Sequence, residues 1–237
     1  DDDYPPLVRQ IYDPPLCLYV RGRVDALHRA NAGIAMVGSR RTDRYGVEAA
    51  DHLASAAAVT GWTVVSGLAR GVDTVVHEAV LRAKGTTVAV IGSGLGKIYP
   101  QENVDLARRI AETGAVVSEF PMLFPPAKRS FPMRNRIISG LCRGTLVVQA
   151  GSRSGSLITA AQALEQNRLV FAVPGPITSP LSRGCHALIR DGARLVESFQ
   201  DVLEEFSFLP GMSGVPPDLG TSTSAPSSGA QSAPDDL

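Results

Sequence analysis

Residues 34–71 read IAMVGSRRTDRYGVEAADHLASAAAVTGWTVVSGLARG, and the spacing of their apolar runs decides the fold. A short apolar run, Ile34–Val37, ends on glycine and polar residues. An Ala-rich helical pattern follows over Tyr45–Val59, and a second run, Thr63–Ser66, ends on Gly67. Strand, helix and strand at these lengths make one βαβ unit, with a right-handed crossover and parallel strands. The pattern then repeats. Further strands are predicted at Thr87–Ile91, Ala115–Ser118, Leu146–Gln149, Val170–Val173 and Arg194–Val196. Further helices are predicted over Thr74–Ala83, Asn103–Glu112, Asn135–Leu141, Leu157–Glu165 and Cys185–Ile189. The class is α/β: a mostly parallel, doubly wound sheet flanked by helices. Sheets of this kind take ligands at the carboxyl ends of their strands, so function is expected in the strand-to-helix loops.

Composition sets the outer limits. With 237 residues, 44% hydrophobic and 19% charged, the chain is long enough for one buried core and balanced like an ordinary globular protein. We expect one extended Rossmann-like domain over 33–209. Pro5-Pro6 and Pro14-Pro15 make 1–32 an extended entry segment. Residues 210–237, rich in Gly, Ser, Pro and Thr without Lys or Arg, are expected to be disordered. The chain has 23 basic and 23 acidic residues, but Asp1, Asp2, Asp3, Asp218, Asp235 and Asp236 sit at the ends. The part between therefore carries a modest basic excess, enough for a local phosphate-binding patch and too little for a purely electrostatic DNA coat.

Cys17, Cys142 and Cys185 are odd in number and widely spaced, which argues against a disulfide framework and a zinc site and for a reducing, cytoplasmic location. The four histidines never fall at His-Glu-x-x-His spacing, so no metal is expected. No apolar run is long enough for a membrane helix.

The loops carry the chemical signal. The first predicted strand ends in Gly38-Ser39-Arg40-Arg41 and the second in Ser66-Gly67-Leu68-Ala69-Arg70-Gly71. The third ends in Gly92-Ser93-Gly94-Leu95-Gly96-Lys97 and the fifth in Gly151-Ser152-Arg153-Ser154-Gly155-Ser156. Glycines let backbone N–H groups close on phosphate oxygens, helix N-termini add partial positive charge, and Arg or Lys supplies a full one. Neither a Gly-x-Gly-x-x-Gly fingerprint nor a Gly-x-x-x-x-Gly-Lys-Ser/Thr loop follows the first strand, which disfavours a dinucleotide enzyme or an ATPase. Phe131 lies among Lys128, Arg129, Arg134 and Arg136, the pattern of a stacking aromatic in a basic groove. Asp73 is expected to cap the helix after Gly71, and His77 to be structural.

Three runs resemble successive signatures of the DNA-processing protein A (DprA/Smf) family. They are Val37-Gly38-Ser39-Arg40-Arg41, Ser66-Gly67-Leu68-Ala69-Arg70-Gly71-Val72-Asp73, and Phe131-Pro132-Met133-Arg134-Asn135-Arg136-Ile137-Ile138-Ser139-Gly140. Gln149-Ala150 with the Gly151–Ser156 loop, and Val173-Pro174-Gly175, extend the similarity to roughly residues 8–205. The family's N-terminal sterile-alpha-like and C-terminal winged-helix modules are not evident. The resemblance implies a homodimeric single-stranded-DNA-binding protein that delivers the strand to RecA recombinase in natural transformation or repair. It implies Arg40 as the phosphate-contacting arginine, Lys128 as the basic residue before Phe-Pro, and Phe131 as the aromatic beside a base pocket.

The expected nucleic-acid site is thus Gly38, Ser39, Arg40, Arg41, Gly67, Arg70, Lys128, Phe131, Arg134, Asn135, Arg136, Gly151, Ser152, Arg153, Ser154 and Gly155, with no catalytic residue and no cofactor. Two alternatives stand beside it. Nucleotide phosphoribohydrolases of the lysine-decarboxylase-like family share the fold, but Thr159 occupies the position of their acidic residue and Glu165 lies about two turns further on. A mononucleotide sensor using the same loops is the other.

Overall fold

The computed structural model describes residues 3–207, whose strands form one eight-stranded sheet. The strands are β1 (Tyr19–Gly22), β2 (Ile34–Gly38), β3 (Val64–Ser66), β4 (Thr87–Val90), β5 (Ala115–Ser118), β6 (Gly144–Gln149), β7 (Leu169–Ala172) and β8 (Arg194–Leu195). Their spatial order is β1-β5-β4-β3-β2-β6-β7-β8. Every neighbouring pair is parallel except β1 and β5, where Tyr19 lies opposite Ser118 and Gly22 opposite Ala115.

The helices are α1 (Pro6–Arg9), α2 (Asp25–Arg29), α3 (Arg44–Val59), α4 (Val72–Arg82), α5 (Val104–Thr113), α6 (Ser130–Gly140), α7 (Ser156–Glu165), α8 (Arg183–Arg190) and α9 (Phe199–Ser207). Side chains alternate across the pleat and divide them into two layers. Ile34 and Met36 of β2 pack with Leu53 of α3, Val76 of α4 and Phe206 of α9. Ala35 and Val37 face the other way, toward Ile137 of α6, Ala160 of α7 and Cys185 of α8. Helix α5 closes a smaller cluster over β4 and β5 through Leu106 and Ile110. Both faces of the central strands are buried, which is why their sequences read as continuous apolar runs.

After β2 the chain runs outward through β3, β4 and β5, then returns to the other side of β2 for β6, β7 and β8. The winding therefore reverses between β2 and β6. In doubly wound sheets, a crevice opens outside the carboxyl ends of the strands at such a reversal.

Several sequence expectations need correction. The 1–32 segment supplies strand β1 and two short helices, with Val8, Ala26 and Leu27 buried in the core. Helix α6 starts at Ser130, five residues before the predicted start, because Pro132 falls in its first turn, where a missing N–H costs nothing. Asp73 is inside α4 rather than at its cap; Gly71 occupies the N-cap, and Asp73 Oδ2 accepts from Ala69 N at 3.3 Å. Helix α9, unpredicted, completes the α3–α4 face with Phe199, Val202 and Phe206. Residues 210–237, expected to be disordered, lie outside the described residues.

Candidate nucleic-acid interface

A cleft of about 1020 Å³ opens at the β2/β6 reversal, lined on one side by the loop after β2 and on the other by the loop after β6. The loop after β2 is shaped from within. Ser39 Oγ donates to Arg41 O at 2.8 Å and accepts from Arg41 N at 3.2 Å, closing a tight turn. Gln149, at the end of β6, accepts from Thr42 Oγ1 at 2.8 Å and donates to Asp43 Oδ1 at 2.7 Å. Asp43 in turn caps α3 by accepting from Gly46 N at 3.0 Å, and these hydrogen bonds hold its carboxyl below the usual range. With its neighbours so anchored, the turn leaves Arg40 and Arg41 exposed at the rim of the cleft.

Helix α6 forms the third wall. Its first turn presents Phe131, half-buried, and the preceding residues present Lys128, exposed. The Arg40 guanidinium sits over the Phe131 ring, 5.3 Å from its centroid, a cation–π arrangement. Asn135 lies one turn further along the same wall. The α7 side is the more open. Ser154 N donates to Gly151 O at 3.0 Å, Ser154 and Ser156 hydroxyls share a hydrogen bond of 2.8 Å, and Arg153 is exposed.

The structure thus brings together Gly38, Ser39, Arg40, Arg41, Lys128, Phe131, Asn135, Gly151, Ser152, Arg153, Ser154 and Gly155. Gly67 and Arg70 line a small adjoining crevice that shares Arg40 and Phe131.

Two arginines turn out to have other work. Arg134, only 4% exposed, runs beneath the cleft, where Nη1 donates to Gly67 O at 2.5 Å and to Val90 O. Burial lowers its pKa to about 10, while the nearby Asp73 carboxylate opposes the drop. Asp73 is itself buried, and burial raises its pKa against the pull of Arg134. Arg136 faces away from the cleft. It forms a two-pronged pair with Glu119, at 2.7 Å on each prong, and Nε donates to Asp13 O at 2.8 Å, so it fastens the N-terminal segment to α6. Both positions therefore support the fold, and neither offers a free cation to a ligand.

The glycines divide in the same way. A Cβ on Gly38 would meet Val72 Cγ2 at 2.6 Å, and one on Gly67 would meet Arg134 Nη1 at 2.6 Å and Asp73 Oδ2 at 2.7 Å. These two glycines make room for packing. At Gly155 a Cβ would meet nothing within 4 Å, so the loop before α7 leaves backbone open to an approaching group.

Of the residues lining the cleft, Asp73 is the lone carboxylate, and it is buried against Arg134. Arg40, Arg41, Lys128 and Arg153 face outward, so the cleft is electropositive. Sequence reasoning missed Tyr99, 41% exposed, whose ring packs 5.7 Å from that of Phe131. It lies two residues beyond the Gly92–Lys97 loop, with Lys97 as its single basic neighbour rather than a basic cluster like the one around Phe131. Among the described residues no group of His, Cys, Asp or Glu could hold a metal ion, and no helix is long and apolar enough to cross a membrane.

Residues 1–207 match the family described as DNA recombination-mediator protein A. The chain is 48% identical over 206 residues to Protein Smf of Escherichia coli K12, covering 86% of this chain and 54% of that protein, so it spans about half the length of that relative. Its fold matches the crystal structure of DNA processing protein A from Streptococcus pneumoniae with a TM-score of 0.83 and 46% identity, over 88% of this chain and 73% of that one. It also matches DNA processing protein A from Helicobacter pylori, described for its single-stranded-DNA binding mode, with a TM-score of 0.77 and 30% identity, over 85% of this chain and 91% of that one.

Proposed function

The chain belongs to the DNA recombination-mediator protein A family, and on that premise we propose that it binds single-stranded DNA in the β2/β6 cleft as a mediator of DNA processing and recombination. One observation carries the reading: an electropositive cleft in which an accessible aromatic, Phe131, lies within 5.3 Å of a free arginine, Arg40. A flat face for a base beside a cation for a phosphate is what a sequence-tolerant single-strand binder requires. Lys128, Arg41 and Arg153 extend the cationic track on either side. The H. pylori relative, described as a single-stranded-DNA binder, supports the same reading.

The finer form of the proposal is that the protein shields incoming or repair-intermediate strands in the cytoplasm and, as a homodimer, hands them to RecA during natural transformation or recombination. Binding rather than glycosidic cleavage is favoured because Thr159 lines the cleft where a carboxylate would be needed, and Glu165 lies exposed at the far end of α7.

Fluorescence anisotropy with single-stranded and duplex oligonucleotides of one sequence tests the proposal. The single strand should bind more tightly. Arg40→Ala should lower the log–log salt slope by about 0.7. Phe131→Ala should cost about 1–3 kcal/mol without changing the slope, because stacking releases no counterion. Equal affinity for duplex, or wild-type binding by both variants, would overturn the assignment.

A further inference from the structure

Beyond Phe131 the cleft wall continues as a ladder. Arg40 lies 5.3 Å from the Phe131 centroid, Phe131 lies 5.7 Å from Tyr99 with the rings inclined at 47°, and Arg70 lies 5.8 Å from the Tyr99 centroid. The four residues come from the loops after β2, β3 and β4 and from the start of α6, so only the fold brings them together. Each ring has its own cation beside it, which repeats for a second nucleotide the provision made for the first.

The two steps differ in one respect. Arg40 makes no ion pair among the described residues, whereas Arg70 is held by Glu102, Nη2 donating to Oε2 at 3.0 Å and Nε to Oε1. A carboxylate offers the guanidinium fork two oxygens, as a phosphate does. The pair is half exposed, at 54% and 52%, and such pairs contribute little net stability, so exchanging the partner is cheap.

We propose that single-stranded DNA runs from Phe131 onto Tyr99, where a second base stacks while its phosphate displaces Glu102 from Arg70. Glu102 thus acts as a stand-in for phosphate that sets the affinity of this second step. The inference rests on the single-strand reading of the cleft and adds to it a second nucleotide subsite with a built-in competitor.

The test is an anisotropy titration of the whole chain with a fluorescein-labelled oligothymidylate across a salt series, with melting curves for every variant. Glu102→Gln should tighten binding by up to about fivefold, since an exposed pair contributes about 0.2–1 kcal/mol and about 1.4 kcal/mol is tenfold. Asp105→Asn, the same charge change one turn away, should leave affinity near wild type. Arg70→Ala should weaken binding, reduce the salt slope by about 0.7, and abolish the gain from Glu102→Gln in the double variant. Tyr99→Leu, which keeps apolar bulk, should weaken binding about 5- to 140-fold, one base stack at about 1–3 kcal/mol. Unchanged affinity in Glu102→Gln and an unchanged slope in Arg70→Ala, with wild-type binding intact, would overturn the second subsite alone. Failure of the wild-type chain to bind the oligonucleotide would instead overturn the parent reading.

Discussion

Replacing Arg134 by methionine separates a structural arginine from a ligand-binding one within the Phe-Pro-x-Arg-Asn-Arg run. The side chain is 96% buried by its 4% exposure, and Nη1 ties α6 to the carboxyl ends of β3 and β4 through Gly67 O and Val90 O. Methionine fills much of the stem's volume but leaves both carbonyls without their donor and takes away the stronger of the two positive charges, Arg134 and Arg40, that act on Asp73. Hydrogen bonds to a charged group contribute about 1.5–3 kcal/mol each, and unpairing a buried charge costs about 3–5 kcal/mol. These describe one deletion from two sides, so they do not add. We expect a loss of about 3–5 kcal/mol, a large fraction of the roughly 5–15 kcal/mol available to a domain.

The pH dependence makes the prediction specific. Burial already raises the Asp73 pKa while Arg134 restrains it, so removing Arg134 sends it higher. A carboxyl whose folded pKa exceeds its unfolded value is stabilising when protonated and loses that contribution as pH rises through the folded pKa. The deficit of Arg134→Met should therefore be smaller at about pH 5 than at about pH 8, and adding Asp73→Asn should recover part of it at the higher pH. Urea unfolding of the wild type and the two variants at both pH values measures this. A variant that unfolds like wild type at both, yet binds single-stranded DNA poorly, would refute the structural role.

Further outcomes concern a buried histidine and two loop glycines. Burial lowers the His77 pKa to about 3, and the hydroxyl of Thr87 already donates to Val64 O at 2.8 Å, so His77 donates from Nδ1 to Thr87 Oγ1 as a neutral ring. Its folded pKa lies below the unfolded value of about 6.5, so stability should fall by about 1.4 kcal/mol per unit as pH drops below that value. His77→Gln should flatten that slope, and an unchanged slope in urea unfolding would contradict it. Gly67→Ala, which drives a Cβ into Arg134 and Asp73, should lower the melting temperature, while Gly155→Ala, with open space around it, should leave it nearly unchanged. Equal melting temperatures for the two would contradict the division of the loop glycines into tightly packed and open positions.

Much of the architecture was legible because both faces of the central strands are buried, leaving apolar runs such as Ile34–Val37 that stand out against their loops. The edge was not. Strand β1 pairs on one side only and its residues are mostly exposed, so Tyr19–Gly22 carries no apolar run to betray it. Pro132 hid the start of α6, since a proline in a helix's first turn reads like a breaker when the turn's position is unknown. Residue type, loop position and the family resemblance singled out Arg40, Lys128, Phe131 and the Gly151–Gly155 loop, which the structure gathers along one cleft. They could not distinguish Arg40 from Arg134, because a free guanidinium and a buried one share the same local sequence signs. The difference is tertiary: Arg134 points under the sheet ends, and Arg136 meets Glu119, 17 residues away in the chain. Tyr99 likewise becomes visible only when the loop after β4 folds against α6.

Where the strand lies is the central claim, and photo-crosslinking addresses it most directly. Irradiating the chain with a single-stranded oligothymidylate and mapping the modified peptides by mass spectrometry should place adducts on the segment containing Phe131, with the loops carrying Arg40 and Tyr99 as the next candidates. A second groove of about 590 Å³, between the carboxyl ends of α4 and α5, is lined by Arg82, Lys84 and Arg109 together with Glu78 and Glu112, and it lacks an aromatic. Adducts confined to that groove, with Phe131 unmodified, would contradict the account.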